Sequence, residues 1–268
     1  MTSWRASRDV VPELLWRDES ASTNADLVTL ATATDLAEFT TLLTDTQTAG
    51  RGRLGRSWVA PAGASLAISI YLRPRDSHGA PLGLERFSWI PLAAGVAMHD
   101  ALAAVIPDLE AGLKWPNDVL VDGRKLCGIL AELVPSGDAA VLGLGINTAM
   151  TTAQLPVPTA TSLDVLGVAV DDDLLDALVA EYLRRLRALV ESYALADGDA
   201  EVSGLAERAI EVCATLGRAV RVELPGNELL EGTAVGLDAA GRLRVAPADG
   251  AAVVAVAAGD VTHVRHPS

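Results

Sequence analysis

The chain has 268 residues, of which 50% are hydrophobic and 21% are charged, and its formal net charge is −14 at pH 7. This hydrophobic content excludes a disordered chain, and the length suffices for one large domain or for a medium and a small domain. The negative charge disfavours nonspecific binding to nucleic acid, although it does not exclude a local basic site. Because the uninterrupted apolar runs are too short to span a membrane and the N-terminus lacks a signal-peptide core, we expect a cytoplasmic location.

The first predicted elements are a helix and two strands. Residues 20–31 begin with small polar residues, and Ser22 or Thr23 can cap a helix there. Residues 39–47 predict a strand that leads into a loop rich in glycine and arginine. Residues 65–74 alternate apolar and polar side chains as far as a proline and predict a second strand.

The middle of the chain predicts more helices and strands. Residues 86–106 have apolar side chains at helical spacing and predict a buried helix. Strands at 119–121 and 126–134 form a predicted hairpin, and residues 139–150 predict another strand. A long amphipathic helix is predicted over 171–194, because aspartates begin it and arginines follow, as the helix dipole favours.

The pattern changes after about residue 214. Short alternating segments separated by Pro-Gly, Ala-Gly and Asp-Gly turns predict a small β-barrel. The predicted architecture is therefore a mixed α/β domain of residues 1–213 followed by a β domain of residues 214–268.

The cysteines and histidines predict neither a disulfide nor a zinc site. The chain has two cysteines, Cys127 and Cys213, and four scattered histidines. In a cytoplasmic protein of this size, two buried thiols are expected. Without a C-x-x-C motif or a histidine cluster, a structural zinc site is not predicted.

Residues 48–57, TAGRGRLGRS, contain three glycines at the G-x-G-x-x-G spacing of dinucleotide-binding turns. Such a turn requires a helix directly after the last glycine, whereas a proline, a glycine and a strand follow here. The Lys-Ser or Lys-Thr pair of a P-loop is also missing. Two interpretations remain: a solvated surface loop, or an anion-binding loop in which Arg51, Arg53 and Arg56 grip carboxylate or phosphate oxygens.

A second polar cluster occupies residues 114–118, KWPND. Asp118 lies at the mouth of one strand of the predicted hairpin and Lys125 follows on the return strand, so the two can lie near each other. One such pair could be a surface ion pair of little energetic value. Together with Lys114 and Asn117, however, the pair offers a carboxylate for Mg²⁺, an amide and two cations for phosphate oxygens.

Five strings resemble the motif set of biotin protein ligases in order and spacing. They are STNAD at 22–26, QTAGRGRLGRSW at 47–58, KWPNDVL at 114–120, KLCGIL at 125–130 and GLGIN at 143–147. The resemblance extends over about residues 20–265. It implies an α/β (α+β) fold, in which a mixed-sheet catalytic domain of the biotin/lipoate ligase type precedes a small SH3-like β-barrel.

The resemblance also implies an activity. Members of this family adenylate biotin with ATP to biotinyl-5′-AMP, release pyrophosphate, and transfer biotin to a lysine of the carrier domain of a carboxylase such as acetyl-CoA carboxylase. ATP and biotin are then substrates and Mg²⁺ the activating ion, and no tightly bound cofactor is expected.

The family's site residues are carried over motif by motif. The resemblance implies a catalytic role for Lys125, Arg53 and Asp118, with Asp118 also holding Mg²⁺. The implied biotin-binding residues are Ser22, Thr23, Asn24, Gln47, Gly50, Arg51, Arg53, Lys125, Gly128, Ile129 and Leu130. The implied ATP- and adenylate-binding residues are Arg51, Gly52, Arg53, Arg56, Trp58, Lys114, Asn117, Asp118, Gly143, Gly145 and Asn147.

Structural roles remain open for some of these residues. Ser22 and Thr23 could serve in helix capping alone, Trp58 in core packing, and Gly143 and Gly145 in sheet packing. Cys127 stands where the family commonly has alanine, and no catalytic role is inferred for it.

Two other functions remain open: a lipoyl or octanoyl ligase of the same fold, and a non-catalytic biotin-binding partner of a carboxylase. About twenty residues precede the first motif, too few for a helix-turn-helix domain. We therefore expect a monofunctional ligase that binds neither DNA nor a membrane and is a monomer or a weak homodimer.

Overall fold

The structure is a computed structural model that describes residues 4–224, 228–257 and 260–263. The helices are α1 Arg5–Arg8, α2 Thr23–Ala33, α3 Ile90–Val105, α4 Asp172–Leu195 and α5 Leu205–Val212. The strands are β1 Leu14–Trp16, β2 Thr41–Thr44, β3 Gly50–Arg51, β4 Ser57–Trp58, β5 Ser65–Leu72, β6 Ala111–Lys114, β7 Asp118–Val121, β8 Arg124–Leu133, β9 Ala140–Asn147, β10 Ala219–Glu223, β11 Leu229–Leu237, β12 Leu243–Pro247, β13 Val254–Val256 and β14 Asp260–His263.

The three predicted helices correspond to α2, α3 and α4. Ser22 caps α2, and its hydroxyl accepts a bond from the Ala25 amide. Asp171 caps α4 in the same way, with Leu174 N 2.8 Å from its carboxylate. The helix predicted over residues 86–106 begins as α-helix only at Ile90, because its first four residues belong to a 3₁₀ helix over Leu84–Trp89. The elements α1, β1, β6 and α5 and the two-residue strands β3 and β4 were not predicted. All of them except α5 have four residues or fewer, too few to show a repeat, and α5 is amphipathic but only eight residues long.

A seven-stranded sheet forms the larger domain, in the order β1-β2-β5-β9-β8-β7-β6. The strands β1 and β2 pair in parallel, and the other neighbours pair antiparallel. The predicted mixed sheet is thus confirmed.

Helices cover both faces of this sheet. The large core joins one face to α3, α4 and α5, and Ile68, Ile70 and Leu142 point into it. A smaller core under α2 occupies the opposite face and contains Leu42 and Tyr71. Alternation along β5 therefore leaves Ala67 and Ser69 on the α2 face, beside the first turn of α2.

The C-terminal domain is a five-stranded antiparallel sheet in the order β13-β12-β11-β10-β14. Gly241 and Gly250 have φ of 72° and 80°, which suits the predicted Ala-Gly and Asp-Gly turns. The predicted Pro-Gly turn, at 225–226, lies outside the described residues. The boundary after residue 213 stays a prediction.

Two further features of the chain concern burial. Both cysteines are free and buried, as predicted, and burial raises the pKa of each thiol. By length and composition alone, the helical stretch Leu84–Val105 could cross a membrane. However, 61% of its most apolar 18-residue segment is buried inside the protein. That burial is the property of a core helix.

Candidate active site

A cavity of about 150 Å³ lies on the α2 face of the sheet, where the arginine-rich loop folds over it. Its walls come from the start of α2, the loop between β3 and β4, the β7–β8 hairpin and the middle of β9. The predicted residues that line it are Ser22, Thr23, Asn24, Gln47, Arg51, Gly52, Arg53, Arg56, Trp58, Asn117, Asp118, Lys125, Gly128, Ile129, Leu130, Gly143 and Gly145.

The arginine-rich loop is a small folded hairpin. Gly50 pairs with Trp58 and Arg51 with Ser57, so β3 and β4 form a two-stranded ribbon. Between them Leu54 has a φ of 56° and a side chain that is 69% exposed. Because a strand follows the last glycine, the chain has no helix N-terminus here for a pyrophosphate.

Side chains attach this loop to the sheet. Arg53 Nη1 donates to Asn117 Oδ1 at 3.0 Å. Asn117 is itself fixed on β8, because its Nδ2 donates to Ile129 O at 2.7 Å and its O accepts from Ile129 N at 2.9 Å. The KWPND motif and the arginine loop therefore meet at Asn117, directly after the cis Trp115–Pro116 peptide.

Lys125 reaches the cavity because the register between β7 and β8 shifts by one residue. Val119 pairs with Cys127, whereas Leu120 pairs with Lys125, so Leu126 is skipped. Leu126, the skipped residue, and Cys127, the residue after it, both point into the large core. Simple alternation from Gly128 would place Lys125 on the core face, and the bulge turns it to the cavity instead.

The amine of Lys125 lies 2.7 Å from Asp118 Oδ1, and the two side chains are 34% and 16% exposed. Lys125 Nζ also lies 5.7 Å from the centre of the Trp58 ring. Together with Arg51, Arg53 and Arg56, this lysine gives the cavity four cations, in a chain whose net charge is strongly negative. The cavity is therefore suited to an anion with several oxygen atoms.

Two glycines of neighbouring strands allow Trp58 to lie flat on the sheet. A Cβ at Gly145 would stand 2.6 Å from Trp58 Cε2, and a Cβ at Gly128 would stand 3.0 Å from Trp58 Cζ3. The indole Nε1 is buried without a hydrogen-bond partner in the described part of the chain. It can donate to an acceptor placed in the cavity.

The start of α2 forms the polar end of the cavity. Gln47 Oε1 accepts from the Thr23 amide at 3.0 Å. Asn24 Nδ2 donates to Leu130 O at 3.2 Å and to Glu132 Oε2 at 2.8 Å. Both amide protons of Asn24 are used, and the Ser69 hydroxyl lies 2.6 Å from its oxygen, so its remaining capacity for a ligand is one lone pair on that oxygen.

Three predicted site residues lie outside the cavity lining. Gly50 lies behind it, where a Cβ would stand 2.5 Å from Trp58 O. Lys114 lies on β6, close enough to His263 to lower its pKa. Asn147 is buried and donates from Nδ2 to Thr161 O at 2.8 Å. The structure gives Asn147 a role in holding the chain after β9, and a ligand contact for Lys114 or Asn147 stays a prediction.

Sequence reasoning missed Ser69, Glu132 and the segment 159–161. Ser69 Oγ lies 2.7 Å from Thr23 Oγ1 and 2.6 Å from Asn24 Oδ1. Residues 159–161 hold the start of β8 by two backbone hydrogen bonds. Lys125 N donates to Thr159 O at 2.7 Å, and Lys125 O accepts from Thr161 N at 2.8 Å. A serine inside an apolar strand was the available signal for Ser69, whereas no local pattern marks residues 159–161.

Comparisons with known proteins agree with this geometry. Residues 21–148 match the model of the biotin/lipoate A/B protein ligase family, and residues 215–264 match that of the biotin protein ligase C terminal domain. The chain is 39% identical over 249 residues to the biotin–[acetyl-CoA-carboxylase] ligase of Mycobacterium tuberculosis, covering 92% of this chain and 87% of that protein.

Two further relatives are informative. A bifunctional ligase/repressor of Escherichia coli is 38% identical over 155 residues, which cover 56% of this chain and 46% of that protein. The structure of the Aquifex aeolicus biotin protein ligase in complex with biotin and ATP superimposes with a TM-score of 0.72 at 26% identity. That match covers 95% of this chain and 100% of the Aquifex chain. From its sequence motifs, its fold and these matches, the chain belongs to the biotin protein ligase family.

Proposed function

We propose that this chain is an ATP-dependent ligase that adenylates biotin to biotinyl-5′-AMP and transfers biotin to a lysine of a carboxylase carrier domain. The observation that carries the proposal is the convergence of Lys125, Asp118 and three arginines on one cavity beside the polar start of α2. The identity with the Mycobacterium tuberculosis ligase over most of both chains supports the same activity.

The first step joins two anions, and the cations of the cavity suit it. A carboxylate oxygen of biotin attacks the α-phosphorus of ATP, a bond to that phosphorus forms, and the bond to the bridging β-phosphate oxygen breaks. Pyrophosphate leaves and the acyl adenylate remains. Lys125 and Arg53 would hold carboxylate and phosphate oxygens together and stabilise the charge that develops, while Arg51 would contribute to substrate binding.

Mg²⁺ fits this site as an ion held mainly by substrate phosphates. Of the residues that line the cavity, Asp118 supplies a carboxylate, and the described residues contain no cluster of three or more His, Cys, Asp or Glu side chains that could hold a metal. Mg²⁺ commonly binds through one or two carboxylates, phosphates and water, so Asp118 suffices. When bound, the ion would neutralise phosphate charge.

In the second step the amine of the carrier lysine attacks the acyl carbon of the adenylate. An amide bond forms, the bond between the acyl carbon and the phosphate oxygen breaks, and AMP leaves. The Mycobacterium tuberculosis relative is a ligase for acetyl-CoA carboxylase, and we infer an acceptor of the same class here.

We further infer that the chain works in the cytoplasm as a monofunctional enzyme, without a DNA or membrane partner, and as a monomer or weak homodimer. The net charge of −14 supports the absence of nonspecific DNA binding. An electrophoretic mobility shift with a biotin-operon operator tests the DNA inference, because a specific shift would contradict it.

The test of the proposed activity is ATP–pyrophosphate exchange with biotin and, in parallel, with lipoate. We expect exchange with biotin and none with lipoate, followed by biotinylation of an added carrier domain. Exchange with lipoate alone would instead support a lipoyl ligase. Biotin binding by folded protein without any exchange would overturn the enzyme and leave a non-catalytic binding protein.

A further inference from the structure

Glu132 connects two parts of the cavity wall, the start of α2 and the arginine-rich loop. It lies on β8, on the same face as Leu130, and its side chain is 26% exposed. Its Oε2 accepts from Asn24 Nδ2 at 2.8 Å and from Arg51 Nη2 at 2.9 Å. One carboxylate oxygen therefore connects the start of α2 to the arginine-rich loop.

Through Asn24, this carboxylate orients the polar end of the cavity. The amide nitrogen of Asn24 faces the Glu132 carboxylate and Leu130 O, and its oxygen lies 2.6 Å from the Ser69 hydroxyl. An amide group can rotate by 180°, and the negative charge of Glu132 strongly disfavours the orientation that would place the amide oxygen beside it. The amide oxygen of Asn24 is thereby kept towards Ser69.

Through Arg51, the same carboxylate holds the loop against the sheet. Asp118 is paired with Lys125, while Glu132 is paired with Arg51. The Arg51 pair joins residues that are 81 positions apart in the chain. It therefore holds the β3 end of the loop, while Arg53 and Asn117 hold its middle.

We propose that Glu132 is a positioning residue of the ligase, which sets the biotin end of the site through Asn24 and keeps the loop closed over the acyl adenylate through Arg51. The inference rests on the proposed biotin ligase activity. Since Glu132 does not line the cavity itself, its effect passes through its two partners. It should act on biotin affinity and on retention of the intermediate, and little on the rate of adenylation at saturating biotin.

The test compares Glu132→Ala and Glu132→Gln with the wild type. The matched control is Glu231→Ala, because Glu231 forms a cross-strand pair with Arg221 at 2.7 Å in the C-terminal domain, away from the cavity. Two quantities are measured: KM and kcat for biotin in ATP–pyrophosphate exchange, and the rate at which radiolabelled adenylate leaves the enzyme when no carrier is present.

We expect Glu132→Ala to raise the biotin KM and the release rate about tenfold each, since bonds to a charged group are lost, with kcat within about twofold. Glu132→Gln, which retains an acceptor oxygen, should fall between Glu132→Ala and the wild type. In a double-mutant cycle, Arg51→Ala should have a smaller effect on release in the Glu132→Ala background than alone.

The possible results distinguish failure of the positioning role of Glu132 from failure of the proposed ligase activity. Wild-type protein without biotin-dependent exchange would overturn the proposed function. An active wild type with unchanged biotin KM and release rate in both Glu132 variants would overturn the positioning role alone. If Glu132→Ala does not fold, the measurements on Glu132→Gln decide between these results. A fall in kcat at unchanged KM for biotin in either Glu132 variant would contradict the proposal.

Discussion

Lys125 Nζ lies 2.7 Å from Asp118 Oδ1 across a hairpin whose register shifts by one residue. The bulge takes the lysine off the core face of β8 and turns it to the cavity. The ion pair places a cation among the three arginines that the loop contributes.

Removal of the Lys125 amine should lower biotin-dependent ATP–pyrophosphate exchange about 10²–10³-fold, the range for loss of one preorganised group that stabilises transition-state charge. Lys125→Ala and Arg124→Ala are compared by initial rates. Arg124 is a cation one position earlier on β8 that does not line the cavity. Equal losses in the two variants would indicate an effect of net charge rather than of the Lys125 position.

Gly143→Ala should raise the KM for biotin about tenfold, because the new Cβ would overlap the Asn24 amide oxygen and stand 2.8 Å from its Cγ. The displaced amide loses its bonds to Leu130 O and Glu132. Gly236→Ala in β11 is the control, since a Cβ there meets no atom of the described residues within 4 Å. Normal biotin kinetics in Gly143→Ala would show that the Asn24 orientation does not affect biotin binding.

Thr215→Val should weaken both the fold and the site. Thr215 Oγ1 accepts from the buried Trp115 amide at 3.1 Å, and Trp115 Nε1 donates to Gly241 O at 2.9 Å. Loss of the hydroxyl removes the oxygen acceptor of a buried N–H and leaves it the weaker acceptor sulfur of Cys213, at a cost of about 1 kcal/mol in the free energy of unfolding. Because Trp115 precedes Asn117 and Asp118, the KM for ATP should also rise.

Urea unfolding and exchange kinetics measure the two effects of Thr215→Val. Thr233→Val, at an exposed position of β11, provides the control. A variant that is less stable yet has the wild-type KM for ATP would show that the C-terminal domain supports the fold without positioning the KWPND turn.

Stability should fall as the solution becomes mildly acidic, and His263 should account for part of the loss. Burial lowers the pKa of His263 below its ordinary value of 6.5, and Lys114 and Arg218 lower it further. His263 Nε2 lies 3.2 Å from Thr215 Oγ1. Since this hydroxyl accepts from Trp115, its proton can be donated to a neutral imidazole, and protonation of the ring removes that acceptor.

The direction of this pH effect follows from the linkage between proton binding and folding. Because the folded pKa is below the unfolded value, the contribution of His263 is complete above about pH 6.5 and is lost as pH falls towards the folded pKa. Melting temperatures at neutral and mildly acidic pH should therefore differ less in His263→Gln than in the wild type. His78→Gln, an exposed histidine, should keep the wild-type difference. The same pH dependence in all three proteins would contradict the prediction.

Strong local patterns determined much of this molecule from the sequence alone. Long periodic segments predicted α2, α3 and α4 and most strands of the larger sheet, because burying a helix or sheet face requires a repeat that is visible in the chain. The motifs with Arg53, Asp118 and Lys125 pointed to one site and to the ligase family. The short elements α1, β1 and β6 carried no comparable signal, and the amphipathic pattern of α5 extends over only eight residues.

The tertiary structure alone decided how the site is built. The bulge at Leu126 departs from simple alternation along β8, and it allows Leu126 and Cys127 both to be buried in the large core. Glu132, Ser69 and Thr161 act on residues 24, 51 and 147, which are distant from them in sequence. Such contacts depend on how strands are paired and packed, and no local spacing encodes them.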